Sequence, residues 1–278
     1  MCGIVGIVSN KSVSSSIIAA LKKLEYRGYD SAGISTINNG QINEKKCSGR
    51  VDNLEKILFQ NPSEGDLGIG HVRWATHGIP NQINAHPHSS EVVSVVHNGI
   101  IENSDKLREE YLCKGYSFKS QTDTEVITVI LTDYLKSEDL INSIHKTLEK
   151  LEGSFALGVI FKDFQDVVVG ARRGSPLAVG YGHDENFIGS DSYALKSMTN
   201  KISYLDDGDF CLLYKEKVEF YNSSKKKINK EIFELSNEDN VADKGDFKDF
   251  MSKEIDEQAI TTKKCINEYL DKSRNEIN

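Results

Sequence analysis

The run GIVGIV at positions 3–8 is apolar, largely β-branched and closed off by polar residues, and it starts one residue after Cys2. Such a run reads as a buried strand beginning almost at the terminus. The start of the chain is therefore pinned rather than frayed, and Cys2 sits at its head. Further along, Val13, Ile17, Ala20, Leu21 and Leu24 recur at helical spacing, and that helix is expected to stop near Arg27 and Gly28. Strands are predicted at AGISTI, IGHVRW, VVSVVH, SFALGVIF, DVVVGA, LAVG and FCLLYK, with a hairpin around Lys215 to Glu219. Helices are predicted over 103–114, 123–136 and 139–151. Strand runs lie at both ends and helices cluster between them, so the order is not a regular βαβ alternation but that of a layered α+β fold. Past residue 236 the chain turns polar, NEDNVADKGDFKDF, and then helix-like, MSKEIDEQAITTKKCINEYLDKS. We read residues 2–240 as the main domain and 241–278 as a linker or tail that leads to, or packs on, something else.

Composition removes several classes of function. With 278 residues, 38% of them hydrophobic, the chain has ample material for a core. A formal net charge of −8 disfavours phosphate backbones and anionic lipid, so neither nucleic acid nor membrane is expected as a partner. The basic run KKKINK at 225–230 reads as a solvated face. No stretch reaches the ~18 apolar residues of a membrane span, and no basic leader precedes GIVGIV, which points to the cytoplasm. The five cysteines are scattered without a CxxC pair, so neither a disulfide framework nor a thiolate zinc site is expected. His86 and His88 form an HxH pair with no third ligand at a convincing spacing, which favours structural or hydrogen-bonding roles; no metal and no cofactor are predicted.

Four clusters carry chemistry. If Met1 is removed, Cys2 holds a thiol and a free α-amine on one Cα. A thiol with pKa about 8.5 is only a few per cent thiolate at neutral pH, and an α-amine with pKa about 7.7–8.0 is among the few groups able to take its proton. Taken alone, Cys2 also reads as a small residue that merely packs. In GHVRWATHGIPN, at 70–81, a strand runs into a turn bearing Arg73, Trp74, Thr76 and His77. The Arg73 fork suits a carboxylate, though a salt bridge would use it equally, and Trp74 could instead anchor a core. VVHNGIIEN, at 95–103, reads as a strand ending in Asn98-Gly99. That pair is either two neutral donors for an oxyanion or an ordinary hairpin turn. In QTDTEVITVIL, Asp123 either complements a helix dipole or meets the ammonium of an amino acid that Arg73 holds by its carboxylate.

Together with LEYRGYDSAGI, NAHPH, GSFALGVI, ARRGSPLAVG, SDSYAL and KGDFKDFMSKEIDEQ, these motifs stand in the order found in class II glutamine amidotransferases. The chain resembles in particular the glutaminase half of the glucosamine-6-phosphate synthases, from residue 2 to about 258. The resemblance implies a four-layer αββα N-terminal-nucleophile hydrolase fold and the hydrolysis of L-glutamine through a glutamyl thioester on Cys2. It implies an oxyanion hole from Asn98 and Gly99, substrate ends held by Arg73 and Asp123, support from Thr76, His77 and His86, Arg27 near the nucleophile, and Trp74 where an ammonia passage starts. It also implies a sugar-phosphate isomerase domain or subunit, in cis or in trans, as partner. Gln121 stands where the family often has glutamate, and Ala259 where a proline is usual. Two alternatives stay open: a glutaminase that serves another acceptor, and a glutamine-binding module without turnover if Met1 is retained.

Overall fold

Gly3–Val8 (β1) forms a strand with every residue buried, near the middle of an eight-stranded antiparallel sheet. The computed structural model describes residues 2–235, 245–248, 250–271 and 276–277. Across this first sheet the order is Phe233–Glu234 (β15), Lys201–Tyr204 (β11), Ala178–Tyr181 (β9), Asn186–Gly189 (β10), β1, Leu67–Arg73 (β4), Ser31–Asn38 (β2) and Gln41–Ser48 (β3). A second, seven-stranded sheet runs Lys227–Ile228 (β14), Val218–Tyr221 (β13), Phe210–Leu213 (β12), Phe164–Arg173 (β8), Gly153–Phe161 (β7), Val93–Ile101 (β6) and His88–Ser89 (β5).

Strand side chains alternate between faces, and the alternation sorts the core into three layers. On β1, Ile4 and Val8 join Ile69, Val96, Ile160, Val168 and Ile188 between the sheets. Val5 and Ile7 point the other way, against Ser14–Lys23 (α1) and Val51–Gln60 (α2). On the far side, Phe155, Leu157 and Val159 of β7 pack on Ser104–Cys113 (α3), Glu125–Tyr134 (α4) and Leu140–Lys150 (α5). The result is helix, sheet, sheet, helix: the αββα sandwich. A strand covered on both faces cannot afford polar residues at either parity, which is why β1 reads as an unbroken apolar run.

Two expectations are corrected. Asn98-Gly99 does not end its strand; β6 continues to Ile101, with Asn98 opposite Ala156 and Gly99 opposite Phe155. The apolar pair Ile100-Ile101 carries the ladder past the turn-like dipeptide, so the hairpin reading fails. Trp74 is no core anchor either, being 41% exposed.

The chain divides into two compact units, Met1–Asn237 and Glu238–Asn278. The second contains the helix Phe250–Tyr269 and a short pairing of Leu270–Asp271 with Glu276–Ile277. The expected boundary at 240/241 and most of the stretch NEDNVADKGDFKDF lie outside the described residues. Among the described residues no helix is long and apolar enough to cross a membrane.

Candidate active site

The inward parity that fills the layer between the sheets turns polar at one end. Ile4 of β1 is followed outward by Cys2, Ile69 of β4 by His71 and Arg73, Val96 of β6 by Asn98, and Ile188 of β10 by Ser190. Because Gly3 pairs with Val72 and Val5 with Gly189, strand register brings the side chains of β1, β4 and β10 to one place, and the packing of the second sheet sets Asn98 of β6 against them.

Cys2 is held from three directions. Trp74 N donates to its Sγ at 3.2 Å, and the thiol approaches Trp74 O at 3.5 Å. Arg27 Nε donates to the Cys2 carbonyl at 2.8 Å, and Asn98 Nδ2 donates to the same oxygen at 3.1 Å. Asp191 positions Arg27: its Oδ2 accepts from Arg27 Nη1 at 3.1 Å and from the Tyr26 hydroxyl at 2.8 Å. Its Oδ1 takes the Ala194 amide at 3.0 Å, capping the short helix Ser192–Leu195 (α6). Gly28 lies flat on the Arg73–Trp74 peptide; a Cβ there would stand 2.6 Å from both Arg73 C and Trp74 N. Any side chain at 28 would push away the peptide that touches the thiol.

Burial raises the Cys2 thiol above its ordinary pKa, opposed by the Trp74 hydrogen bond and by the Arg73 and Arg27 charges. Burial thus disfavours the thiolate, and forming it calls for a base close at hand. Burial also lowers the Arg73 guanidinium, against the supporting charges of Cys2, Asp123 and Asp30. Arg73 is 3% exposed; its Nη2 donates to His77 O, while its buried Nη1 has no hydrogen-bond partner. Among the described residues it makes no salt bridge, so the guanidinium is not spent on an ion pair within the fold.

Asp123 is buried and accepts from Ile101 N at 2.8 Å. Gly99 has φ +123°, and a Cβ there would meet Ser154 O at 2.0 Å, so only glycine fits. Thr76 and His77 lie on the loop after β4, with His77 Nδ1 3.3 Å from Thr76 Oγ1. Asn84 closes that loop: its Nδ2 donates to Ile79 O and to Gln121 Oε1, each at 3.1 Å, and its Oδ1 takes the Gln121 amide at 2.9 Å. The amide oxygen of Gln121 accepts here as a carboxylate oxygen would, so the departure at 121 leaves the anchor in place.

His86 belongs to a cluster of buried rings. It stacks on His71 with ring centroids 4.2 Å apart, and its Nε2 lies 3.2 Å from Thr124 Oγ1. Thr124 in turn meets His97 Nδ1 at 2.9 Å, and His88 Nε2 meets Thr122 Oγ1 at 2.9 Å. Burial keeps all four rings neutral: His71 falls to about 3, and His86, His88 and His97 are also lowered. Among the described residues no group of three or more His, Cys, Asp or Glu side chains is arranged to hold a metal ion.

His71, Ser190 and Asp191 are absent from the sequence reading. His71 was accessible through parity, two residues before Arg73 on the same strand. Ser190 and Asp191 sit in SDSYAL, whose role emerges only once β10 is paired with β1.

Residues 71–197 match the profile described as "Glutamine amidotransferase domain". The chain is 46% identical over 272 residues to glutamine--fructose-6-phosphate aminotransferase [isomerizing] of Mesorhizobium japonicum, covering 98% of this chain and 45% of that protein. It is 50% identical over 260 residues to the enzyme of that name from Clostridium acetobutylicum, covering 93% and 43%. It thus spans less than half the length of these relatives. Among solved structures, the glutamine phosphoribosylpyrophosphate amidotransferase of B. subtilis superposes with a TM-score of 0.70 at 23% identity, over 81% of this chain and 50% of that one. A glutamine aminotransferase class-II domain protein from Silicibacter pomeroyi gives 0.58 at 12% identity, over 80% and 99%; at these identities the likeness is one of fold. The αββα sandwich is the N-terminal-nucleophile hydrolase fold of these solved structures. Residues 71–197 thus carry a glutamine amidotransferase domain, and nearly the whole chain is similar to the corresponding part of these relatives.

Proposed function

We propose that this chain hydrolyses L-glutamine to glutamate and ammonia, with Cys2 as nucleophile once Met1 is removed. The observation that carries the reading is the Cys2 residue itself. Its sulfur lies 3.2 Å from Trp74 N, and an amide donor, Asn98 Nδ2, stands 3.1 Å from its carbonyl. A thiol that burial disfavours as an anion needs an adjacent base, and the α-amine of the same residue is the nearest one chemistry offers. Sulfur would attack the carboxamide carbon while the amine takes the thiol proton. Asn98 and Gly99 would stabilise the oxyanion, and the amine would return the proton to the departing ammonia. Water, deprotonated by the same amine, would then cleave the thioester to glutamate. Arg73, with a free buried nitrogen, and Asp123 would bind the substrate carboxylate and ammonium, with Thr76, His77 and Trp74 on the loop that covers them.

The names of these relatives support a place in glucosamine-6-phosphate formation. On that reading the ammonia goes to fructose-6-phosphate on a sugar-isomerase domain or subunit, in the cytoplasm, with residues 241–278 as the connection. Met-processed protein should release glutamate from glutamine, and Cys2→Ala should bring the rate to background without loss of fold. Normal turnover in the variant would overturn the mechanism. Intact mass measurement reports the state of Met1. Stimulation of glutamate release by an isomerase partner with its sugar phosphate would support the acceptor; indifference would count against it.

A further inference from the structure

The His71 ring is completely enclosed. Its Nε2 lies 3.0 Å from the His97 carbonyl and 3.0 Å from Asn98 Oδ1. The His97 carbonyl can only accept, so Nε2 must carry the hydrogen, and the Asn98 atom sharing that hydrogen must be the oxygen. The other end of the Asn98 amide gives the same answer. It stands 3.1 Å from the Cys2 carbonyl, which also only accepts, so the NH2 has to face that way. Ser190 Oγ accepts from Ile4 N at 2.6 Å and from Asn98 Nδ2 at 2.8 Å, taking one of the two amide hydrogens. The remaining hydrogen is directed at the nucleophile residue. His71 Nδ1 has no partner, as expected of a bare lone pair in an Nε2–H ring.

We propose that His71 is a positioning residue that, with Ser190, locks the Asn98 carboxamide so that its NH2 group faces the reacting centre. A flipped amide would set its oxygen against the Cys2 carbonyl and its NH2 against the His71 N–H, two repulsive contacts in a buried place. An oxyanion donor helps only if it is aimed before charge develops, because turning it during the reaction forfeits the advantage of a preset dipole. The proposal rests on the glutaminase reading given above.

Losing an oxyanion donor outright costs about 10²–10³ in kcat, so losing only its orientation should cost about 10–100-fold. The expected result for His71→Leu is that fall in kcat with KM for glutamine within about threefold. In an Asn98→Ala background the same change should cost less than about threefold. His71→Gln, which returns an amide N–H near the place of Nε2, should recover most of the rate. An unchanged kcat in His71→Leu, or an equal loss with and without Asn98, would overturn the proposal. Because a buried substitution can also damage the fold, the tautomer is to be read in the wild-type protein by 15N NMR of the imidazoles. Nε2–H is expected, and Nδ1–H would sink the idea. If the wild type releases no glutamate, the reaction itself falls, and the tautomer alone decides the clamp.

Discussion

The layer between the two sheets has two regions built by the same rule to opposite ends. In its middle, inward positions carry Ile4, Ile69, Val96, Ile160 and Ile188, and the space is filled by hydrocarbon. At its end, the same parity carries Cys2, His71, Arg73, Asn98 and Ser190, and the space is filled by hydrogen bonds. One geometry thus supplies rigidity in one place and a polar constellation in the other. The difference lies in what removal of a group does. Hydrocarbon can be trimmed at a cost in stability alone, whereas a buried polar group must keep every partner or leave a neighbour unsatisfied.

The largest effect should come from acid, which acts through buried rings at and beside the polar end and not through the hydrocarbon. His71, His86, His88 and His97 are buried neutral, with folded pKa values below the ordinary 6.5 and, for His71, about 3. The unfolded chain takes up protons near 6.5 and the folded one does not until far lower, so stability is complete above about pH 6.5 and falls as pH drops below it. Each ring contributes at most about 1.4 kcal/mol per pH unit in that window. The midpoint of urea unfolding should therefore drop markedly between pH 7.5 and 5.0, where carboxylates are still ionised. A flat midpoint would mean that the rings are hydrated or already charged, and the contrast between the two regions would collapse.

Next comes the hydrocarbon region. Ile160→Ala empties a fully buried position on β7, opposite Ser94 and well along the strand from Ala156, the partner of Asn98. It should cost about 2–5 kcal/mol in urea unfolding. Glutaminase activity per folded molecule should stay within about twofold. A selective fall in kcat at unchanged stability would show that the middle of the layer takes part in the chemistry.

What the sequence discloses follows the same division. β1, α1 and the three helices over 103–151 are legible because burial imposes a period on them, of either unbroken apolar residues or helical spacing. β3 is not, because QINEKKCS sits at the sheet edge, largely polar and half exposed, and owes its strand to eight pairings with β2. β10 is not either: four residues between turns become a strand only by pairing with β1 and β9. α2 did carry a legible pattern, Val51, Leu54, Ile57 and Leu58, that the reading leaves unused. At the site, Cys2, Arg73 and Asn98 stand out by residue type. His71 and Ser190 do not, because their importance lies in whom they touch across 26 to 27 and 92 residues of chain.

The smallest effect sharpens the comparison from outside, where polar groups face water. Lys22 on α1 reaches Glu55 Oε2 at 2.8 Å and Asp52 Oδ1 at 3.1 Å on α2, with side chains 40%, 54% and 66% exposed. The contacts are as short as those around Asn98, yet the solvent that surrounds them can replace either partner, and the long lysine chain loses freedom by holding still. Lys22→Ala should lower stability by less than about 1 kcal/mol, and by less still in 0.5 M salt, where screening has already weakened the pairs. Urea unfolding at low and high salt measures both. A salt-independent loss of several kcal/mol would show that this surface network behaves like the buried one, and that enclosure is not what separates the two kinds of polar contact in this protein.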